Sequence, residues 1–487
     1  MADTGAKQYC NYIDGKWTPP SSGRYFLNFN PADNSDTIGA FPLSTEEDAI
    51  RAVEGCHRAF QSWRKLHGSQ RATYIKRFIT ALERRQEEIA VALVREVGKT
   101  IKDARAEPAR GIDESFYNMG EIDHMEGVTL PSDRAGVTSV ANRVPLGVVS
   151  AINPWNFPFM TPVRKIIPAL AAGNTVLFKP SSDTPLSAVL LMELFEEAEL
   201  PPGVVNMVIG GGREIGDVLS GHPMVQGVTF TGSTQVGERI AALAAKNFVK
   251  LQLEMGGKNP AIVADCKDLK TAAVAIADGA MQLAGQRCTA VSRVIVLEDQ
   301  AEELEELLTE RMSGYKIGPG TVPGTMYGPM INASAGEKVM RYIEGAVSEG
   351  ATLRHGGNRL TGGDYDKGFY IEPTLFTNVT PKMTIAIDEV FGPVLCVLRV
   401  KDFDAAMRVA NDTQYGLSSC IFTDNDEYRW IYMRDMESGN CHINHGTITD
   451  SCMPFAGVKR SGMGAPSKGS TNRDFFTKWK MVYVKYV

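Results

Sequence analysis

Nowhere in the sequence does an apolar run approach the ~18 residues that a membrane-spanning helix needs. The amino-terminal MADTGAKQYCNYIDGKW has no basic region followed by an apolar run. It also lacks the Arg-rich, acid-poor character of a transit peptide, so a cytoplasmic location is expected. Cysteine is sparse: the eight are Cys10, Cys56, Cys266, Cys288, Cys396, Cys420, Cys441 and Cys452. None forms a C-x-x-C pair or a Cys/His cluster with zinc spacing, which excludes a disulfide scaffold or zinc module. In a cytosolic chain each is expected to be a buried, reduced thiol, with Cys288 set apart below. His442 and His445 form an H-x-x-H without a helical frame or nearby Glu, so they read as structural and no metal is expected. Excess positive charge is missing too. Lys plus Arg number 51 against 57 acids, a net charge of -6, which gives no global attraction for nucleic acid or an anionic membrane.

What remains is an ordinary globular composition, 43% apolar and 22% charged, over 487 residues. That length predicts two to four domains with more than one sizeable core. After a short strand pair near Tyr12–Trp17 and Tyr25–Asn30, helical spacing runs through 45–63, 69–96 and 102–125. From about 144 the texture changes to apolar strands alternating with helices. VPLGVVSAI, NTVLFKP, VVNMVIG and GVTFTG are separated by helices at 162–172, 185–198 and 213–220. A helix at 233–245 follows, and KLQLEM and PAIVA close the series. This alternation predicts a parallel, doubly wound sheet. A second α/β block spans 270–435, with helix 270–285, strand RVIVL, helices 300–314 and 333–349, strands FYIEPTLF and GPVLCVLRV, helix 402–411, strand SSCIFT and helix 425–435. The segment 128–144 and the tail 475–487 alternate like strands and are expected to form a small antiparallel extension.

An α/β sheet presents ligands outside the carboxyl ends of its strands. Those ends carry Asn153–Pro158, Lys179–Ser182, Gly210–Gly212, Thr231–Gly237 and Glu254–Gly257. Gly, Lys, Ser and Asn at five successive ends suit a nucleotide with phosphates. Gly232–Gly237 precedes a helix, whose amino terminus offers free N–H groups to a diphosphate, although a plain tight turn fits equally well. The fingerprint G-x-G-x-x-G is absent: Gly210, Gly212 and Gly216 have one residue too many.

Cys288 follows a helix in Ala284–Ala290, flanked by Gly and polar residues. A Cys thiolate there can add to an aldehyde carbonyl. The oxyanion needs donors, such as the Asn156 amide and the Cys288 N–H, and a resulting thioester needs an activated water and a carboxylate such as Glu254. Spacing alone favours the plainer reading of a core cysteine and a solvated carboxylate.

Six motifs go further. N-P-W-N-F-P (153–158), F-T-G-S-T-x-x-G (230–237), L-E-M-G-G-K (253–258), G-Q-R-C-T (285–289), E-V-F-G-P (389–393) and P-F-A-G-V-K-x-S-G (454–462) resemble, in order and spacing, the NAD(P)-dependent aldehyde dehydrogenase superfamily. The resemblance spans essentially the whole chain. It implies a Rossmann-type cofactor domain (1–127 and 145–256), an α/β catalytic domain (257–455), a small antiparallel β oligomerisation extension (128–144 and 470–487), and a homodimer or homotetramer. It makes Cys288 the nucleophile, Glu254 the general base and Asn156 the oxyanion donor. It places NAD or NADP on Ile152, Trp155, Lys179, Ser182, Gly212, Gly216, Gly232, Ser233, Gly237, Met255, Glu389 and Phe391. Strongly NAD-selective members often have Glu three residues after the Lys179 position; Ser182 stands here, which implies that NADP is accepted. Acyl-CoA-forming members resembling methylmalonate-semialdehyde dehydrogenase usually lack the base, so Glu254 implies hydrolysis to the free acid.

For the substrate, Arg164 followed by Lys165 resembles semialdehyde dehydrogenases of the succinate-semialdehyde and 2,5-dioxopentanoate type, where many broad-specificity relatives have Trp. A guanidinium facing the tunnel would bind a distal carboxylate bidentately; solvent or an acid could occupy it instead. The second Arg of succinate-semialdehyde enzymes is replaced by Gln282, which points to other acidic aldehydes. Phe157 and Thr449, in the motif and in the polar loop 446–451, complete the expected substrate wall, with aromatic aldehydes and CoA-acylating chemistry as alternatives.

Overall fold

The computed structural model describes residues 5–486; the outermost residues of the expected first and last segments, 1–4 and 487, lie outside it. Two mixed sheets organise the chain, and a three-stranded antiparallel sheet stands apart from both. In the first sheet the five central strands run parallel in the spatial order Val205–Met207, Thr175–Lys179, Val148–Ile152, Val225–Thr231, Lys250–Glu254. They are fully or mostly buried apolar runs, which is why they read as strands without alternation. The chain winds outward from Val148–Ile152 on one side and then jumps to Val225–Thr231 on the other. That is a topological switch point, with its crevice at the carboxyl ends. Register levels those ends: Ile152 lies opposite Lys179 and Phe230, and Thr231 opposite Glu254.

The second sheet is ordered Thr352–His355, Thr374–Thr377, Val394–Val400, Val291–Leu297, Asn259–Val263, Ser418–Phe422, Asn440–Ile443. Its strands are parallel apart from Thr352–His355. Cys288 lies just before Val291–Leu297. The amino ends of this sheet thereby follow directly on the Glu254–Gly257 edge of the first.

The helices begin where the sequence supplies caps. Thr45 and Asp48 make a reciprocal capping box for Glu46–Trp63. The Thr100 hydroxyl accepts from the Asp103 N–H at 3.1 Å to start Ile101–Gly120. The helix Glu46–Trp63 packs its Ala49, Val53 and Cys56 face on the first sheet, beside Leu177 and Val208.

Several elements differ from the sequence reading. Tyr12–Trp17 is itself a hairpin, Asn11–Ile13 with Lys16–Thr18, at the edge of the first sheet. Tyr25–Asn30 pairs with Asp33–Pro42, a strand missed because its first half is polar. The first sheet's parallel series ends at Lys250–Glu254; Asn259–Val263 belongs to the second. FYIEPTLF is two strands, because Pro373 has no N–H to continue the ladder. The helix expected over 270–285 stops at Met281, and Leu283, Ala284 and Gly285 all take positive φ. The extension is formed as expected: Val137–Pro145 lies between Val128–Pro131 and Thr477–Lys485. Cys441 and Cys452 are exposed rather than buried. Among the described residues no helix is long and apolar enough to cross a membrane.

Candidate active site

At the carboxyl ends of the first sheet's central strands, against the Cys288 loop that leads into the second sheet, lies a cavity of about 550 Å³. Cys288, Glu254 and Asn156 all line it, as do Trp155, Phe157, Arg164, Gly232, Ser233, Met255, Glu389, Phe391 and Thr449. Residues from six separate stretches of sequence therefore meet in one cavity.

The cysteine loop is fastened from behind. The Asn259 amide donates to the carbonyls of Cys288 (2.7 Å) and Ala290 (2.8 Å). The buried Gln286 side chain donates to the Leu283 and Pro329 carbonyls and accepts from the Ile331 N–H. The left-handed turn before it needs Gly285 on two counts. Its φ is +69°, and a Cβ would stand 2.0 Å from the Gly392 carbonyl oxygen. Asn156 lines the cavity and donates one amide hydrogen to the Gln286 carbonyl at 3.0 Å, leaving the second without a partner among the described residues. Burial, with Glu389 and Glu254 nearby, pushes the Cys288 thiol up to about 11 against the pull of Arg287 and Arg164. At rest the sulfur is therefore a thiol.

Glu254 is buried, and its Oε1 accepts from the Ser467 hydroxyl at 3.3 Å, while its Oε2 has no partner. Desolvation raises its pKa despite Lys165, the largest opposing charge. Lys165, buried in the same wall, donates to the Thr229 hydroxyl at 2.9 Å, and burial lowers its pKa. A carboxyl held above its ordinary range with a free oxygen is suited to taking up a proton.

The other side of the cavity has the makings of a dinucleotide cradle. Lys179, at the end of its strand, is buried with only the neighbouring Pro180 carbonyl as acceptor (2.9 Å), and burial lowers it to about 8. Among the described residues it has no ion pair, although the Asp183 and Glu214 charges act on it, so it has room for a further anion or hydroxyl. Both polar atoms of the buried Asn153 amide are unpartnered. The Ser233 hydroxyl caps the helix Thr234–Ala245, and at Gly237 a Cβ would meet the Met255 sulfur at 2.3 Å. Glu389 accepts from the Gly257 N–H at 3.0 Å and is pushed up to about 7 by burial. The Trp155 and Phe391 rings meet edge to face at 5.7 Å. These groups fit a ribose, diphosphate and flat ring. Ile152, Lys179, Ser182, Gly212, Gly216 and Gly237 lie outside the cavity itself. Ile152 ends the central strand, and Ser182 donates to the Gly210 carbonyl at 3.4 Å. Gly212 and Gly216 open the helix Gly212–Gly221 with free space around them.

Arg164 lines the cavity, and its guanidinium is also engaged by an acid. Its Nε and Nη2 donate to Glu114 at 2.8–3.3 Å, and the Glu114 side chain is only 2% exposed. Among the described residues Nη1 has no hydrogen-bond partner. Phe157 sits under the Lys99 ammonium, 4.1 Å from the ring centroid, and Lys99 pairs with the buried Glu107. Glu107 in turn accepts from the N–H groups of Phe159 (3.2 Å) and Met160 (3.1 Å), fixing the start of the helix that carries Arg164. Gln282 lines the same region and donates to Asp103 at 2.6 Å. The sequence reading passed over Glu107, Glu114 and Ser467, and gave no role to Lys165 and Gln286. A lysine set in VRKIIPAL, within an otherwise apolar helix, was the one local signal.

Known proteins resemble the chain over nearly its whole length. The model of the aldehyde dehydrogenase family matches residues 17–482. The chain is 41% identical to the alpha-ketoglutaric semialdehyde dehydrogenase of Bacillus subtilis, over 99% of each chain. A 3,6-anhydro-L-galactose dehydrogenase solved with NADP superposes with a TM-score of 0.96 at 35% identity, over 98% of this chain and 100% of that one. The betaine aldehyde dehydrogenase of Staphylococcus aureus solved with NAD+ gives 0.95 at 32% identity, over 98% and 95%. Fold, cavity and similarity lead to one statement: the chain belongs to the aldehyde dehydrogenase family.

Proposed function

We propose that this enzyme oxidises a small anionic aldehyde to the free acid with NAD or NADP. The observation that carries the reading is the convergence of a nucleophile, an unpartnered carboxylate oxygen and a free amide hydrogen on one cavity, with Arg164 in its wall. The Cys288 thiol gives up its proton to solvent, and the sulfur adds to the carbonyl carbon, forming a C–S bond. The electron pair moves to oxygen, where the Asn156 amide and the Cys288 N–H stabilise it. The nicotinamide, when bound on the Glu389, Trp155 and Phe391 side, supplies the hydride acceptor. In the resulting thioester, Glu254 takes a proton from water, hydroxide adds to the carbonyl carbon, and the C–S bond breaks to return the thiolate. Lys179, Ser233 and the Gly232–Gly237 turn hold the adenosine and diphosphate.

The retained Glu254 supports hydrolysis over acyl transfer to CoA. The name of the Bacillus subtilis relative supports an aldehyde bearing a carboxylate. The test is a panel of 2,5-dioxopentanoate, succinic semialdehyde, benzaldehyde and pentanal with NAD and NADP, each with and without CoA. Preference for the acidic aldehydes independent of CoA is expected. CoA-dependent turnover, or a preference for benzaldehyde, would overturn the reading.

A further inference from the structure

Lys468 is 2% exposed and has no acid within ion-pair distance among the described residues. Its Nζ donates to the Thr449 hydroxyl at 3.2 Å and stands 5.8 Å from the centroid of the Phe455 ring. Thr449 and Phe455 both line the cavity; the lysine sits directly behind them. Its backbone takes φ +67°, a conformation that a side-chain-bearing residue rarely adopts. Several contacts hold it there. Ser467 exchanges two backbone hydrogen bonds with Phe455 (2.6 and 2.8 Å), and the Lys468 N–H donates to Asn472 at 3.1 Å. Asn472 in turn donates to Asn118 at 2.9 Å.

A buried, unpaired ammonium is costly, and so is a left-handed lysine; both persist only where the surroundings impose them. The charge of Arg164 in the same wall is already met by Glu114. Arg110 and Arg287 also line the cavity and are only half-buried, whereas Lys468, behind Thr449 and Phe455, is a fully buried cation without an ion pair among the described residues. Because its N–H occupies a lone pair of the Thr449 oxygen, the hydroxyl proton of Thr449 is left to donate into the cavity.

We infer that Lys468 is the specificity-determining cation for the distal anionic group, a carboxylate or sulfonate, of the aldehyde, acting through the Thr449 hydroxyl at the cavity wall. The inference rests on the anionic-aldehyde reading above. Burial, with the Arg164 and Arg110 charges nearby, lowers Lys468 to about 8 against the pull of Glu114 and Asp450, so it carries its charge at neutral pH.

The experiment compares 2,5-dioxopentanoate with pentanal, at saturating cofactor, in the parent, Lys468→Met and Thr449→Val. The acid-to-neutral ratio of kcat/KM is expected to fall at least tenfold in Lys468→Met, chiefly through a higher KM for the acid. It should fall in the same direction, by less, in Thr449→Val. The Ki of glutarate should rise with the KM of the acid. If Lys468→Met does not fold, Thr449→Val and the glutarate Ki carry the test. A ratio preserved in the folded variants overturns the role of Lys468 and leaves the anionic-aldehyde reading standing. A parent with no preference for the acid removes both.

Discussion

The two ends of the cavity are held in place by different means. Around the reacting carbon the fastening is backbone: Asn259 and Gln286 grip main-chain carbonyls behind Cys288, and Asn156 leans on the Gln286 carbonyl. At the distal end the fastening is charge against charge: Arg164 with Glu114, Lys99 with Glu107, and Lys468 with no acid within ion-pair distance among the described residues. Backbone hydrogen bonds fix position irrespective of what binds. Charge pairs set a local potential that one substitution changes. The chemistry end is accordingly built to a fixed geometry, while the distal end is where one such fold chooses among aldehydes.

The comparison is broken most severely at the sulfur. Cys288→Ala is expected to lower turnover of every aldehyde by roughly 10⁴-fold or more while cofactor binding is kept. Activity within tenfold of the parent would end the mechanism. Glu254→Gln comes next. Hydrolysis loses its base, so steady turnover should fall by about 10²–10⁴-fold. A stopped-flow burst of reduced cofactor should survive; its absence would move Glu254 to an earlier step. The pH profile sharpens the point. Cys288 and Glu254 both have raised pKa values, and both must lose a proton to act. Activity therefore climbs as pH rises, on a limb above the ordinary carboxylate range. This limb belongs to the coupled Glu254–Lys165 pair, and Lys165→Met should displace it.

The chemistry end was also the more legible one in the sequence. The central strands of the first sheet are apolar on both faces, and their carboxyl ends are written in Gly, Asn, Lys and Ser within a few residues of each strand. Cys288, Asn156 and Glu254 could be placed from motif order alone. The breaks came where local pattern is ambiguous. Leu283 and Ala284 look helical, but Gly285 and the approach of the Gly392 carbonyl force a left-handed turn. The second half of Asp33–Pro42 is buried behind a polar first half. The partners of the site's charged groups were not readable because they are far apart in the chain. Glu114 meets Arg164 across 50 residues, and Ser467 meets Glu254 across 213. The sequence named Arg164 as a cation; only the fold revealed the acid beside it.

That acid changes how Arg164 must be tested. Arg164→Leu alone strands the buried Glu114 carboxylate, and breaking such a pair costs about 3–5 kcal/mol. A marked fall in Tm is expected, and lost activity in that variant says nothing about substrate. Arg164→Leu combined with Glu114→Leu removes both charges and should recover most of the stability. In this double variant the acid-to-neutral ratio of kcat/KM should drop roughly 30-fold if Arg164 contacts the anion, the equivalent of ~2 kcal/mol. An unchanged ratio in a stable double variant would assign Arg164 to the framework and leave Lys468 as the cation that selects.

The smallest effect is expected farthest from both ends, at Ser182. Its hydroxyl donates to the Gly210 carbonyl, and Lys179, three residues earlier, is the buried cation nearest in sequence. A carboxylate here would accept from ribose hydroxyls and repel a 2′-phosphate, whereas a serine carries no charge to repel it and can donate to it. NADP is therefore expected to be accepted at least comparably to NAD. Ser182→Glu adds one negative charge on a partly exposed loop, where water screens much of the repulsion. A penalty of ~1.4 kcal/mol on NADP is reasonable for such a site, and corresponds to about a tenfold shift of the NADP-to-NAD ratio of kcat/KM toward NAD. The shift should appear in the KM for the cofactor and be the same with an acidic and a neutral aldehyde, because Ser182 lies outside the cavity that holds the substrate. A ratio that does not move would transfer cofactor selection to other groups around Lys179. A shift that depends on the aldehyde would mean that the two ends of the site are coupled, and the contrast between a fixed chemistry end and a tunable distal end would have to be redrawn.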